Sequence, residues 1–225
     1  MMRSVLIDTE TTGLDPAVGH RIIEIAAIEL RNDLPTGAVF HRLVNPARPV
    51  PGEATAINGI ADADLVGAPD FAAVAPELLA FLGADPIIAH NAPFDFAFLD
   101  AEFGRIAASP LDRARMIDTL ALAKARFAGL PNSLDALCRR FAIDLSERGT
   151  HNALLDCRLL AAVYLELTGG RQRGLALAPA AAGPAPQISV GPGRTAIRIV
   201  PSEADLARHR AFLARLKAPA VWQNG

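Results

Sequence analysis

Two carboxylates close an apolar run near the N-terminus: in VLIDTETTGL, residues 5–14, Asp8 and Glu10 follow Val5, Leu6 and Ile7. Side chains two apart on a strand point to one face, so both acids aim at the same spot. Like charges that close disfavour ionisation unless a cation lies between them. Taken alone, such a pair more often caps a turn or faces solvent, but two further acids change the balance. In HNALLDCRLLAAVYLEL the helical face of Asp156 also carries Leu159, Leu160, Val163 and Leu167, which puts a carboxylate on a core-facing stripe. A buried unpaired carboxylate is costly. No Lys or Arg lies on that face, so a divalent cation is the expected partner. Asp95 repeats the pattern in HNAPFDFAFLDAEF, with Phe98 and Leu99 on its face; Asn91 and Pro93 read there as ordinary helix-start residues.

Four hard oxygen donors without a Cys or His cluster favour Mg²⁺ or Mn²⁺ over Zn²⁺. Such a set suits phosphoryl transfer to water, in which two divalent ions ~4 Å apart hold the attacking and leaving oxygens of an in-line displacement. His151 falls five residues before Asp156, about 140° round a helix. It therefore belongs on the loop or first turn leading into the site, where a neutral imidazole takes a proton from the attacking water. His20, His41 and His209 have no comparable context and read as satisfied or exposed residues.

The elements that must position these groups follow from periodicity. Val5 to Ile7 is a central strand covered on both faces. Residues 22–30 and 38–44 read as its neighbours, with Pro35 and Gly37 marking the turn between them, a three-strand meander. From residue 71 the pattern is mixed: helices over 71–83, 93–107, 118–127, 133–142 and 152–168, with a short strand at 86–89. The body is therefore α/β with a mixed sheet. Residues 169–193 have the Gly, Pro and Ala content of a linker. Beyond it, 195–200 reads as a strand, and Ser202 with Asp205 resembles a capping box opening a helix with the stripe Leu206, His209, Leu213 and Leu216. One helix cannot bury that stripe alone.

The chain has 225 residues, 51% of them hydrophobic, enough for one sizeable core plus an appendage. No apolar run reaches the ~18 residues of a membrane span, and the N-terminus has no basic segment leading into an apolar stretch and a cleavage site. A soluble cytoplasmic protein with no membrane partner is expected. Cys138 and Cys157 lack metal or disulfide spacing and read as small core residues. Residues 1–170 carry 14 Lys and Arg against 22 Asp and Glu, a balance of −8, whereas 171–225 carry 8 against 2, a balance of +6. Body and tail are thus expected to meet different partners.

Asp8-x-Glu10 followed by Thr-Thr-Gly, then HNAPFD, then His151 four residues clear of Asp156, resembles the DEDD superfamily of 3′ to 5′ exonucleases in its histidine subtype. The tyrosine subtype is excluded, since its Tyr would fall at position 152, which is Asn. Through GHRIIEIAAIEL, NSLDALCRRF and LLDCRLLAAVYLELTGG the chain is similar, over nearly all of 1–170, to the proofreading epsilon subunits of bacterial DNA polymerase III. The resemblance implies a ribonuclease H-like fold, a mixed five-stranded sheet flanked by helices, with a linker and a short C-terminal tail. It implies an exonuclease domain at 1–170, a flexible linker at 171–193 and a polymerase-binding segment at 194–225. It further implies hydrolysis of the 3′-terminal nucleotide of single-stranded or mismatched DNA with two Mg²⁺ or Mn²⁺ per site, releasing nucleoside 5′-monophosphates. Asp8, Glu10 and Asp156 would bind metal directly, Asp95 would help hold the second ion, and His151 would be the general base. Substrate contacts would come from Asp8, Glu10, Glu53, Phe94 and the turn from Thr11 to Gly13, whose N–H groups face the 3′ end. Asn58 stands in NGI where the family often has His in HGI; an amide still hydrogen-bonds a nucleotide, so altered contacts rather than lost activity are expected.

The tail resembles the segment that docks on the polymerase alpha subunit, through Leu206, Leu213, Leu216 and Trp222. QRGLAL, with Gln172, Leu175 and Leu177, resembles the short peptides that plug into the sliding clamp. A body at −8 has little cationic surface for phosphates, and a tether to a polymerase would raise the effective substrate concentration, to the millimolar range for a short flexible linker. Two rivals stand beside this reading. A stand-alone exonuclease on RNA or DNA ends would have no use for the tail, and a non-catalytic scaffold bridging polymerase and clamp would have no use for five catalytic positions.

Overall fold

Strand β1 (Arg3–Thr11) runs through the middle of a five-stranded sheet of order β3-β2-β1-β4-β5 in the computed structural model, which describes residues 2–146, 149–169 and 200–215. β2 (Ile22–Arg31) lies antiparallel to β1, and β3 (Leu34–Leu43) antiparallel to β2 at the edge. On the other side β4 (Ile87–Ala89) and β5 (Met116–Asp118) run parallel to β1. This is the mixed sheet expected. Six helices belong to the same unit: α1 (Gly52–Asn58), α2 (Phe71–Leu82), α3 (Ala92–Arg105), α4 (Thr119–Arg126), α5 (Leu134–Arg140) and α6 (Ala153–Leu167).

The alternation of β1 sorts its side chains into two layers. Val5 and Ile7 join Ile25, Ala27, Ile87 and Ala89 in a core shared with α2 and α3, through Phe71, Leu78, Phe96, Phe98 and Leu99. Leu6 joins Ala26, Ile28 and Ile88 in a second core under α5 and α6, through Leu137, Cys157, Leu160 and Val163. Both cysteines are free and buried, as expected of core residues. Strand β1 is therefore covered on both faces, and only its C-terminal end is available for chemistry.

One expectation is corrected. The reversal between β2 and β3 is made by Asn32 and Asp33, at φ 51° and 67°, not by Pro35 and Gly37. Asn and Asp tolerate left-handed backbone, and a turn of that hand matches the twist of a hairpin. Pro35 sits within β3 opposite Leu30, where an edge strand accommodates a missing N–H, and a register shift between Ile28 and Leu30 follows it. The short strand β5 and helix α1 also carry no periodicity that would have announced them.

The chain divides into two units, Met1–Leu175 and Ala176–Gly225. In the second, the Ser202 side chain accepts the Asp205 N–H and starts α7 (Glu203–Leu213), as its capping pattern foretold. No residue of α7 is buried; Leu206 is 44% exposed and Phe212 56%. Gln172, Leu175, Leu177, Leu216, Trp222 and all but Val200 of the strand expected over 195–200 lie outside the described residues. Among the described residues no helix is long and apolar enough to cross a membrane.

A buried ion pair ties the start of β2 to α3. Arg21 places Nε 2.6 Å and Nη2 2.7 Å from the two carboxylate oxygens of Glu102, which is only 2% exposed. Replacing Arg21 with Ala leaves a buried carboxylate uncompensated, and a loss of about 3–5 kcal/mol in unfolding free energy is expected from urea titration; a loss below 1 kcal/mol would contradict it.

Candidate active site

The acids of β1 meet those of α3 and α6 at the C-terminal end of the strand. Glu10 sits where the pairing with β2 shifts register, between Glu10 and Thr11, a bulge that re-aims the strand end. Asp156 lies in the first turn of α6, buried at 4% exposure among Leu160 and Val163. One ligand atom each from Glu10, His151 and Asp156 fall within 4.8 Å of one another. His151 precedes the helix, its N–H donating to the Ile57 carbonyl at 3.1 Å and its Nδ1 3.4 Å from Asp156 Oδ2. Asp95 enters from the first turn of α3, on the other face of the sheet, and accepts a hydrogen bond of 2.8 Å from the Thr9 hydroxyl.

Three acids and hydroxyls that the motifs did not single out hold this arrangement. Glu24 stands opposite Glu10 across the β1–β2 ladder and is 1% exposed. It accepts from Asn152 Nδ2 and the Ala153 N–H, both at 3.1 Å, and lies 2.6 Å from His41 Nε2, so it fastens the start of α6 to the sheet. Asp118, at the end of β5, accepts from the N–H groups of Asn91 and Ala92 at 3.0 and 3.3 Å. This corrects the reading of Asn91 as an ordinary cap: its φ is 68° and its side chain makes no capping bond, because Asp118 satisfies the free amides at the head of α3 instead. Thr9 orients Asp95 as described. An acid inside the apolar strand IIEIAAIEL, away from its end, was the one available signal for Glu24.

A cleft of about 680 Å³ collects every sequence-predicted metal, catalytic and substrate residue: Asp8, Glu10, Asp95, Asp156 and His151, and also Thr11, Gly13, Glu53, Asn58 and Phe94. The turn after β1 is built tightly. Thr12 exchanges backbone and side-chain hydrogen bonds with Arg21, and the Thr11 hydroxyl donates to the Gly13 carbonyl. A Cβ at Gly13 would overlap the His20 ring, which itself lines the cleft beside Thr12. His20 is thus part of the wall rather than an ordinary surface residue. Asn58 is buried with both amide atoms used inside the protein, Oδ1 by the Ile60 N–H at 2.9 Å and Nδ2 towards the Thr11 carbonyl at 3.5 Å. It steadies the turn.

The electrostatics of the cleft are those of charge without compensation. Burial pushes the Asp8 carboxyl well above the ordinary range, and the charges of Asp95, Glu10, Asp156 and Glu24 push it further. Burial likewise raises Asp95 to about 7, against the hydrogen bond from Thr9 that lowers it. Repulsion of this kind is relieved by a cation at the focus of the acids. The donor set, hard carboxylate oxygens with one imidazole, fits Mg²⁺ or Mn²⁺.

Comparison with known proteins gives one consistent result. The family described as Exonuclease (RNase_T) matches residues 5–164. The chain is 42% identical over 222 residues to the DNA polymerase III subunit epsilon of Rickettsia conorii, covering 96% of each chain. It is 44% identical over 176 residues to the subunit of that name from Escherichia coli, covering 75% of this chain and 72% of the relative. A solved structure of exonuclease X in complex with 5′ overhanging duplex DNA superposes with a TM-score of 0.60 at 30% identity, over 75% of this chain and 92% of the other.

The raised carboxyls set a pH signature. With native pKa values above the unfolded ones, Asp8 and Asp95 favour folding fully below about pH 4, and that contribution is lost as pH rises towards the Asp95 value of about 7. Divalent cation reverses the loss. In thermal melts Mn²⁺ is expected to raise Tm more at pH 8 than at pH 5, and Asp8→Asn to raise the metal-free Tm at pH 8 while shrinking the Mn²⁺ increment by more than half. Equal increments at the two pH values would contradict the assignment.

Proposed function

Because this chain belongs to the exonuclease family, alongside relatives named DNA polymerase III subunit epsilon, we propose that it is the 3′ to 5′ proofreading exonuclease of a bacterial replicative DNA polymerase. The observation that carries the reading is the meeting of Glu10, His151 and Asp156 within 4.8 Å, beside Asp8 and Asp95, in a cleft whose far wall is a tight backbone turn. The enzyme is metal-dependent. When bound, two Mg²⁺ or Mn²⁺ ions supply charge stabilisation to the phosphate and lower the pKa of water.

The chain's own residues do the rest. Asp8, Glu10 and Asp156 would hold the ions, and Asp95, oriented by Thr9, would help hold the second. With Nδ1 turned to Asp156, His151 has Nε2 to take the proton of the attacking water. Its half-exposed ring can then pass that proton to solvent. The turn from Thr11 to Gly13 and the side chains of Glu53 and Phe94 seat the terminal nucleotide, and Asn58 keeps the turn in place. Water attack on the last phosphodiester breaks the bond to the 3′-oxygen of the preceding nucleotide, so the product is a nucleoside 5′-monophosphate and the strand is left with a 3′-hydroxyl.

The tail carries the partnership. Leu206 and Leu213 of α7, with Leu216 and Trp222 beyond it, form the docking element for the polymerase alpha subunit, a buried aromatic being a typical interface anchor. Gln172, Leu175 and Leu177 form a sliding-clamp peptide in the linker between an exonuclease domain at 1–170 and the tail at 194–225. The protein then works on single-stranded or mismatched 3′ ends in the cytoplasm, held at the primer terminus by its partners.

Two experiments test this. On a 3′-mismatched primer with Mg²⁺, products resolved at single-nucleotide steps should show stepwise loss that EDTA abolishes. Asp8→Ala should reduce the rate by about 10²–10³-fold, the range of lost charge stabilisation in such sites; a variant within tenfold of the parent would refute the metal role. Truncation after Gly170 should retain hydrolysis of short single strands but no longer co-elute with alpha subunit on gel filtration. A complex surviving truncation would refute the docking role of the tail.

A further inference from the structure

His151 enters the cleft from the junction between a loop and α6, on a half-exposed ring. Such a ring is placed by the backbone that carries it. The His151 N–H is held by the Ile57 carbonyl at 3.1 Å. The next two residues are both held by Glu24: Asn152 Nδ2 donates to its Oε1 and the Ala153 N–H to its Oε2, each at 3.1 Å. Asn152 is gripped from the other side too, since its Oδ1 accepts the Leu155 N–H at 3.0 Å as the cap of α6. His41, on the edge strand β3, brings Nε2 to 2.6 Å from Glu24 Oε1. One buried carboxylate thus joins β2, β3 and the head of α6 directly after the histidine.

We propose that Glu24 is the positioning residue of His151: by fixing residues 152 and 153 against β2, it sets where the imidazole meets the attacking water. Glu24 does not line the cleft. It acts through His151, so its role rests on the reading of the site as a 3′ exonuclease and deepens that reading. The residue type points to more than a tie between a strand and a helix. A fifth acid behind Asp8, Glu10, Asp95 and Asp156 is electrostatically unwelcome, and its charge is among those that push the Asp8 carboxyl upward. An amide would avoid that charge. It would also turn an NH₂ group against a donor, because Asn152 Nδ2 meets one oxygen and the Ala153 N–H the other, and only a carboxylate accepts on both. Glu24 is paired with Glu10 across the β1–β2 ladder, so the strand that carries Glu10 and the segment that carries His151 and Asp156 are registered from one point. Such registration matters to a proton transfer, since a displacement of about 1 Å can cost about 10²-fold in rate.

A double-mutant cycle on the full-length protein tests this, reading release of mononucleotide from a single-stranded ten-residue oligothymidylate with Mn²⁺. Glu24→Gln is expected to lower kcat about tenfold with KM within about twofold of the parent, part of the loss that a misplaced base brings. In the His151→Gln background the same change should cost less than about twofold, because no base is left to misplace. A tie serving stability alone would give equal factors in the two backgrounds, and that result would overturn the proposal. Should Glu24→Gln fail to fold, Asn152→Ser carries the same comparison, since Ser still caps α6 but cannot reach Glu24; its smaller loss of kcat should again vanish in the His151→Gln background, and equal losses overturn the proposal. A second readout does not depend on turnover. Broadening of the His151 ring NMR signal by sub-stoichiometric Mn²⁺ falls steeply with distance and is expected to differ between the parent and Glu24→Gln. If the parent releases no nucleotide, the exonuclease reading has failed, and equal broadening in the two proteins separately overturns the positioning role.

Discussion

Everything in this protein is arranged around carboxylates that cannot all be charged at once without help. Asp8, Glu10, Asp95 and Asp156 are brought to one end of β1, with Glu24 close behind, in surroundings that drive the Asp8 and Asp95 carboxyls upward. A protein interior accepts such a cluster only with positive charge at its centre. Among the described residues, no arginine or lysine lines the cleft where the four acids converge. The demand for a divalent cation is therefore a property of the fold, and hydrolysis of a phosphodiester is the chemistry that the demand serves.

Rigidity comes from groups that take no part in that chemistry. The sheet covers β1 on both faces, which leaves its acids no freedom except at the C-terminal end. Glu24 clamps the head of α6, Asp118 clamps the head of α3, and Arg21 with Glu102 ties the loop after β1 to α3. Each clamp satisfies amides or charges that would otherwise be stranded by burial. The acids of the site are thus held against their own repulsion by a second set of polar contacts whose partners lie on different elements.

The distribution of charge also suits the tethering proposed for the C-terminal segment. On the proposed reading, a body with a balance of −8 has little net cationic surface for single-stranded DNA, since affinity for a strand comes mainly from neutralised phosphates. Local concentration then has to substitute for intrinsic affinity. The exposed Leu206 and Phe212 of α7 accord with the docking role proposed for that segment.

Much of this was legible without coordinates. The spacing of Asp8 and Glu10, the apolar faces around Asp95 and Asp156, and the loop position of His151 are local matters, governed by the periods of strand and helix. What escaped depended on residues far apart in the chain. Glu24 and Asn152 are separated by 128 positions, and Asp118 and Asn91 by 27, so nothing in either neighbourhood announces the bond. The three residues of β5 are too few to display a period, and the hairpin reverses at Asn32 and Asp33 because edge-strand pairing tolerates Pro35. A further cleft, of about 820 Å³ and lined by Leu120, Lys124 and Leu134, exists only where α4 and α5 close against the end of β1. Sequence by itself determined which candidate residues face the site, because short-range periodicity decides which way a side chain faces. Only the tertiary structure decided how close they come and what holds them there, because distances between elements are set by burial and by hydrogen bonds between residues remote in the chain.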